Sequence, residues 1–286
     1  MKLYDAVIVG GGPAGLSAAV NLKIRGKSFL LFGSGGVSAK VGLAPMVENY
    51  LGLPSITGVD LARRFEGHLD GMEIGIVREQ VSTVYPMDRY FAVASTRQAV
   101  NASAVILCTG VHNAKVLPGE EEFLGRGVGY CATCDAPLYK GKDVAIVGHS
   151  HDAVMEANFV AGLAASVTYV PGNGEYDGLL PGIRIVQGKV MKIRGDVKAR
   201  ELILDSGVIE ADGIFILRDS IAPASLVTGL EMEDGFIKAD NAMRTNIPGL
   251  FAAGDCTVRP HQYMRAAGQG QTAAHSAVEF LDRHGA

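Results

Sequence analysis

The feature that most restricts this chain is a strand–glycine–helix unit that occurs twice. Tyr4–Val9 is apolar, Gly10-Gly11-Gly12-Pro13-Ala14-Gly15 follows it, a helical stretch runs to about Arg25, and Ser28–Phe32 reads as the next strand. Short apolar runs closed by glycine are strand signals, and the longer stretch between them has the length of a helix. The same order returns at Asp143–Val147, a turn at Gly148, a helix over His151–Leu163 and a strand at Val167–Val170. Two such units predict two nucleotide-type domains, which 286 residues accommodate at ~100–200 residues per domain. Further strands are expected at Ala104–Cys108, ending in Thr109-Gly110, and at Leu250–Ala253, leading into Gly254-Asp255, with a closing helix from about Gly268. Residues 183–219 alternate in short strand-like pieces. The C-terminal strand and helix are too short to stand alone, and no low-complexity linker separates the parts. The expected fold is therefore α/β, with two three-layer Rossmann-like domains, the second inserted in the first. The boundaries read as 1–111 with 240–286, and 112–239.

Gly10-x-Gly12-x-x-Gly15 follows a strand and opens a helix. In that setting the first glycine makes the tight turn, the second lets backbone approach a pyrophosphate, and the third lets helix and strand pack closely. An acidic residue to hold a ribose is expected about 20 residues on, but the second strand ends Phe32-Gly33-Ser34. The ribose contact must come from elsewhere. The second unit is degenerate. It reads Gly148-His149-Ser150-His151-Asp152-Ala153, so the middle glycine is replaced by Ser150, whose side chain would crowd a pyrophosphate. After the following strand comes Pro171-Gly172-Asn173-Gly174, with neither a cation for a 2′-phosphate nor a carboxylate for a ribose.

Cys131-Ala132-Thr133-Cys134 is the C-x-x-C of the chain, and Asp135 follows it. Two cysteines three apart at a helix start can close a small disulfide, and the helix N-terminus speeds thiol exchange by favouring the thiolate. Half a zinc site and two inert buried thiols are the other readings, although a zinc site would need four ligands and no second C-x-x-C follows. Asp135 can shuttle a proton during exchange, or serve as a helix cap. Cys108 and Cys256 stand at strand ends beside glycine and read as packing residues. Four cysteines are too few for a disulfide scaffold of this length. With 26 basic and 30 acidic residues, the chain lacks the basic excess of a nucleic-acid or anionic-membrane binder. It lacks the ~18-residue apolar run of a membrane span, and it reads as an untargeted cytoplasmic protein.

Taken together, Gly10–Gly15, Glu48-Asn49-Tyr50-Leu51-Gly52, Gly129–Pro137 with its C-A-T-C-D core, and Ala252-Ala253-Gly254-Asp255 resemble the low-molecular-weight thioredoxin reductases, in that order and over essentially the whole chain. The resemblance implies a homodimeric FAD enzyme that reduces thioredoxin through the Cys131–Cys134 disulfide, with Cys134 facing the flavin and Cys131 attacking the partner. It places Gly10, Gly12, Pro13, Ala14 and Gly15 at the FAD pyrophosphate, with Thr109 and Gly110 alongside. It places Asn49, Gly254, Asp255 and Gln262 around the ribityl chain and ring. It also implies that the inserted domain turns on connections near 111–117 and 238–244.

Members of that family using NADPH carry a G-G-G-D-S-A-like turn and a basic triplet, which read here as Gly148–Ala153 and Pro171-Gly172-Asn173. Gly125–Lys142 and Gln262-Tyr263-Met264 are similar to the ferredoxin-dependent flavin thioredoxin reductases, which implies reduced ferredoxin as the electron donor. A flavin suits that role, since ferredoxin gives single electrons and a disulfide needs two. Residues 112–239 carry 12 basic and 18 acidic residues against 14 and 12 in the remainder, so the FAD domain is the expected docking face for an acidic donor. A nicotinamide-dependent disulfide reductase that tolerates Ser150, and a non-enzymatic flavin and disulfide sensor, are the rival readings.

Overall fold

Uninterrupted runs of Val, Ile and Ala build strands that can be buried on both faces, the habit of parallel sheets covered by helices. The computed structural model describes residues 2–110, 116–150, 153–172, 174, 176–218 and 223–284, and of Cys134 the backbone only. The chain divides into two units, Met1–His112 with Ala222–Ala286, and Asn113–Ile221.

The first unit begins with β1 (Leu3–Val9), α1 (Pro13–Ile24), β2 (Phe29–Phe32), α2 (Ala39–Gly42), α3 (Gly58–Gly71), β3 (Ile76–Val77), β4 (Val81–Pro86), β5 (Phe91–Ser95) and β6 (Ala99–Leu107). The second contains β7 (Val128–Gly129), α4 (Ala132–Asp135), a 3-10 turn at Ala136–Tyr139, β8 (Asp143–Gly148), α5 (Ala153–Ala161), β9 (Ser166–Pro171), β10 (Arg184–Ile185), β11 (Val190–Gly195), β12 (Ala199–Leu204), β13 (Gly207–Glu210) and β14 (Gly213–Leu217). The chain then returns to the first unit with α6 (Pro223–Leu226), β15 (Met232–Glu233), β16 (Phe236–Ile237), β17 (Leu250–Ala252) and α7 (Tyr263–His284).

Among the described residues, the first unit holds a seven-stranded sheet in the order β3-β2-β1-β6-β5-β4, with β17 on the C-terminal half of β6. β3, β2, β1, β6 and β17 run parallel, whereas β4 and β5 form an antiparallel extension. Ala6 and Ile8 of β1 pack with Ala18, Ala19 and Leu22 of α1 and Ala273, Ala274 and Ala277 of α7 in one buried core. The small side chains bring α1 and α7 close. A Cβ at Gly270 would lie 2.0 Å from the Ala14 carbonyl oxygen. That contact explains a difference from expectation. The closing helix starts at Tyr263 rather than about Gly268, and its Gly270 is the spacer through which α7 passes α1, whereas Gly268 faces open space.

The second unit has a five-stranded parallel sheet, β10-β9-β8-β14-β7, and an antiparallel meander, β11-β12-β13. Alternation along β8 feeds both faces. Ala145 and Val147 pack with Ile193, Leu202 and Leu204 of the meander, while Val144 and Ile146 pack with Ala153, Ala157 and Val160 of α5.

The return to the first unit comes at residue 222, not 240. Val227 bridges Val84 of β4, the Ile237 amide donates to the Cys256 carbonyl, and the Asn246 side chain joins Glu231 and Gly229. Residues 238–244, expected at a connection, lie inside the first unit with Met243 in its core. The expected connection at 111–117 lies largely outside the described residues. The new boundary carries Lys238, Glu231, Glu233 and Asp234 into the first unit, which changes its charge balance from +2 to 0. The expected net positive docking face is thereby lost.

Candidate active site

Gly10, Thr109 and Gly254 follow the parallel strands β1, β6 and β17, at the carboxyl end of the sheet where open α/β folds bind ligands. The contacts sort the glycines by role. Gly10 has φ +125°, and a Cβ there would stand 2.1 Å from the Cys108 carbonyl oxygen. A Cβ at Gly15 would stand 1.9 Å from the Gly10 carbonyl oxygen. Both are glycines because protein backbone passes through the space. Gly12 differs, since a Cβ there would meet nothing within 4 Å and its φ of −86° suits any residue. Nothing in the chain requires a glycine at that position. The open volume stands at the N-cap of α1, whose first turn begins at Pro13 and whose amides face outward from it. A pyrophosphate fits that opening, so the residues present suit FAD.

The remaining expected cofactor residues fall near this end of the sheet. Ala14 Cβ lies 2.9 Å from where a Gly254 side chain would begin, and the Gly254 amide donates to Gln269 Oε1 at 3.0 Å. Thr109 is next to the Gly10–Cys108 contact, followed by Gly110 at φ +69°. The Asn49 side-chain amide donates to Gln262 Oε1 at 2.6 Å, joining two expected flavin-side residues from distant parts of the chain. Burial pushes the Asp255 carboxyl up from its ordinary value, although His261, Lys40 and Arg265 pull it down. Lys40 and Arg265 are basic groups near that carboxyl that net charge did not reveal.

Cys131 is disulfide-bonded, and Cys108 and Cys256 are free buried thiols. Burial pushes Cys256 up to about 11 and Cys108 well above its ordinary value, so neither is a ready thiolate. The Cys134 side chain lies outside the described residues. Cys131 precedes α4, and Glu156 of α5, 4% exposed, accepts through Oε2 from the Ala132 amide at 2.9 Å, the Thr133 amide at 3.3 Å and the Thr133 hydroxyl at 3.2 Å. On the other side of Cys131, Tyr130 bonds the Glu120 carboxyl, which is paired with Arg218 in a buried fork. Asp135 packs its carboxyl over Gly129, and burial pushes its pKa up from the ordinary carboxylate value. The sequence reading missed Glu156, Glu120 and Arg218. The legible signal was the one carboxylate in Ala153–Ala161, which is apolar apart from it and Asn158.

Glu120 is 1% and Arg218 8% exposed. Burial pushes the Glu120 carboxyl up, but the Arg218 hydrogen bond, the Leu117 amide and Tyr130 outweigh it, so the net shift is downward. Replacing Arg218 with Met is expected to cost ~3–5 kcal/mol, because it leaves a buried carboxylate unpaired. Urea unfolding measures this directly. A depressed carboxyl contributes stability above its ordinary value of about 4.5 and loses it as pH falls through the lower folded value. That acid-side loss should flatten in Arg218→Met.

The second glycine turn is built differently from the first. At Gly148 a Cβ would meet the Tyr169 hydroxyl at 1.9 Å, and at Gly172 it would meet the His149 ring at 2.2 Å. Tyr169 is buried, and Ser150 is buried beside the turn. Burial and Arg218 push the His149 imidazole down against the opposing effects of Glu120 and the Gly172 backbone, so it packs as a neutral ring. His151, Asp152 and Asn173 lie outside the described residues.

A dinucleotide opening on one unit and a disulfide on a short helix of the other define a flavin-type disulfide oxidoreductase. The family model for pyridine nucleotide-disulphide oxidoreductases matches residues 4–176 and 180–270, and the chain belongs to that family. Within it, the chain is a thioredoxin reductase-type FAD flavoprotein. A thioredoxin reductase from Ureaplasma parvum is 32% identical over 307 residues, covering 99% of this chain and 98% of its own. A crystal structure of a ferredoxin-flavin thioredoxin reductase from Clostridium acetobutylicum is 49% identical with a TM-score of 0.91, covering 98% of this chain and 99% of its own. A thioredoxin reductase structure from Gloeobacter violaceus is 28% identical with a TM-score of 0.80, covering 99% of this chain and 96% of its own.

Proposed function

We propose that this protein reduces the disulfide of thioredoxin with electrons from reduced ferredoxin, and that it does so as a cytoplasmic homodimer. The observation that carries the donor assignment is the contrast between the two glycine turns. The first leaves open space at Gly12, whereas the equivalent position of the second carries the buried Ser150, with the His149 ring against Gly172 after the following strand. The likeness to the Clostridium acetobutylicum protein supports the same reading.

Gly10, Gly12, Pro13, Ala14 and Gly15 would hold the FAD pyrophosphate, with Thr109 and Gly110 beside it. Asn49, Gly254, Asp255 and Gln262 would hold its ribityl and ring portions. Bound there, FAD supplies a group that takes electrons singly and releases them in pairs. The protein's own chemistry lies in the Cys131–Cys134 pair. Cys131 as thiolate attacks the thioredoxin disulfide, one partner sulfur leaves and takes a proton, and Cys134 displaces the second to restore the ring. Asp135 provides one proton, and the Cys134 thiol gives up the other as it attacks. Two electrons and two protons convert one thioredoxin disulfide to its dithiol. Lys40 and Arg265 offer an acidic donor a local positive charge that does not depend on the unit's net charge.

Anaerobic titration of the holoenzyme tests the donor. Reduced ferredoxin should bleach the flavin, and NADPH and NADH should not. Two missing charge-assisted bonds to a 2′-phosphate, at roughly 1.5–3 kcal/mol each, weaken NADPH binding by about two to four orders of magnitude. NADH avoids that phosphate but still meets Ser150 at the pyrophosphate turn. Rapid, saturable bleaching by micromolar NADPH would restore a nicotinamide-dependent enzyme and leave the cysteine assignment intact.

A further inference from the structure

Glu156 sits where a helix-borne cysteine ordinarily finds its stabilising donors. The amides that follow Cys131 belong to the first turn of α4, and such amides lower the cost of a thiolate at the preceding residue. Here the amides of Ala132 and Thr133 already donate to Glu156 Oε2, and the Thr133 hydroxyl adds a third donor to the same oxygen. A carboxylate in that place does two opposed things. It fixes the backbone of the C-x-x-C turn, and it occupies the amides that would otherwise be open to a thiolate at Cys131. Glu156 reaches across from α5, one strand-and-helix unit later in the chain, so the contact does not follow from the C-x-x-C sequence itself.

We propose that Glu156 is a positioning residue of the thiol relay, holding the first-turn amides of α4 and restraining the nucleophilicity of Cys131. This extends the reading of Cys131 as the attacking thiol, but it concerns a property of the reduced protein that is measurable without thioredoxin or ferredoxin. The other titratable groups around the turn are Asp135 on α4 itself, Tyr139 on the 3-10 turn, which couples to Asp135, and Glu120, bonded to Tyr130 from the segment before β7. All three remain in place in the variants below.

The experiment is the pH profile of iodoacetamide alkylation of the reduced holoenzyme. A Cys134→Ser background keeps the ring from reclosing, and peptide mass spectrometry reads Cys131. Glu156→Gln keeps the shape and an acceptor oxygen but removes the charge. Its alkylation midpoint should fall by about one pH unit, which is ~tenfold faster alkylation at a pH below both midpoints. Glu156→Asp, which retains the charge, should stay nearer the parent than Glu156→Gln does. Thr133→Val removes one donor from Oε2 and leaves its charge less dispersed, so the midpoint should move the other way. This change is milder for folding and decides the matter if Glu156→Gln does not fold. An unmoved midpoint in folded Glu156→Gln, or in Thr133→Val where Glu156→Gln does not fold, would overturn the proposal. Loss of stability alone would mark Glu156 as a packing residue. Failure of ferredoxin or thioredoxin turnover would leave this profile untouched, so the two readings fail separately.

Discussion

Cys131→Ser and Cys134→Ser are each expected to abolish thioredoxin reduction, by at least ~10³-fold, on the scale of removing a nucleophile. The two should differ in what survives. With Cys134→Ser, reduction of the bound flavin by the donor should persist while passage to thioredoxin stops. With Cys131→Ser, passage should also stop, but Cys134 remains as a thiol, and a long-wavelength charge-transfer absorbance would mark it beside the flavin. Cys108→Ala and Cys256→Ala should reduce the same protein without comparable loss, since both thiols are buried, free and pushed towards the neutral form. Stopped-flow absorbance and an insulin-coupled thioredoxin assay separate these outcomes. Normal turnover in either C-x-x-C variant would remove the disulfide from the mechanism.

Gly12→Val should yield a folded protein that no longer retains FAD. The position has ordinary backbone angles and no protein atom within 4 Å of a Cβ, so the chain itself tolerates the branch. The cofactor would not, because the side chain would enter the volume meant for the pyrophosphate. Affinity should fall at least ~100-fold, about 2.7 kcal/mol or more. Gly15→Val is the contrasting case. Its Cβ would lie 1.9 Å from the Gly10 carbonyl oxygen, so this variant should lose the fold itself, beyond the ~1–3 kcal/mol of ordinary overpacking. Flavin absorbance per protein, read with far-UV circular dichroism, distinguishes the two. A yellow Gly12→Val would refute the assignment of the opening.

Much of the fold could be read because strand, turn and helix signals here are local. Glycine spacing located β1, α1 and β8, and the C-x-x-C located a helix start. The return to the first unit could not be read. It depends on α6 and on the two-residue strands β15 and β16, which have too few residues for any periodicity and are held by distant contacts such as Val84 with Val227. The candidate site divides in the same way. Gly10, Gly12 and Gly15 are adjacent in sequence, but Asn49 and Gln262 meet across 213 residues. Ser150 indicated that the second turn had changed. That Ser150 is buried there and that the His149 ring lies against Gly172 are matters of side-chain direction, which composition does not encode. Net charge misled, because a domain sum depends on where the domain ends, whereas Lys40 and Arg265 act through proximity to Asp255.

The two buried carboxyls on either side of Cys131 have a consequence for the lifetime of the covalent complex with the partner. Glu120 fastens Tyr130 before the sulfur, and Glu156 fastens Ala132 and Thr133 after it. When a mixed disulfide forms, the backbone between the two cysteines therefore has little slack to lose. Intramolecular groups held in this way react at effective concentrations far above those of free solutes, up to ~10⁵ M and beyond in well-oriented systems. On the proposed relay, ring closure is expected to outrun an external thiol such as glutathione and release the partner first. Slackening either anchor would appear first as stalled enzyme–thioredoxin adducts on a non-reducing gel.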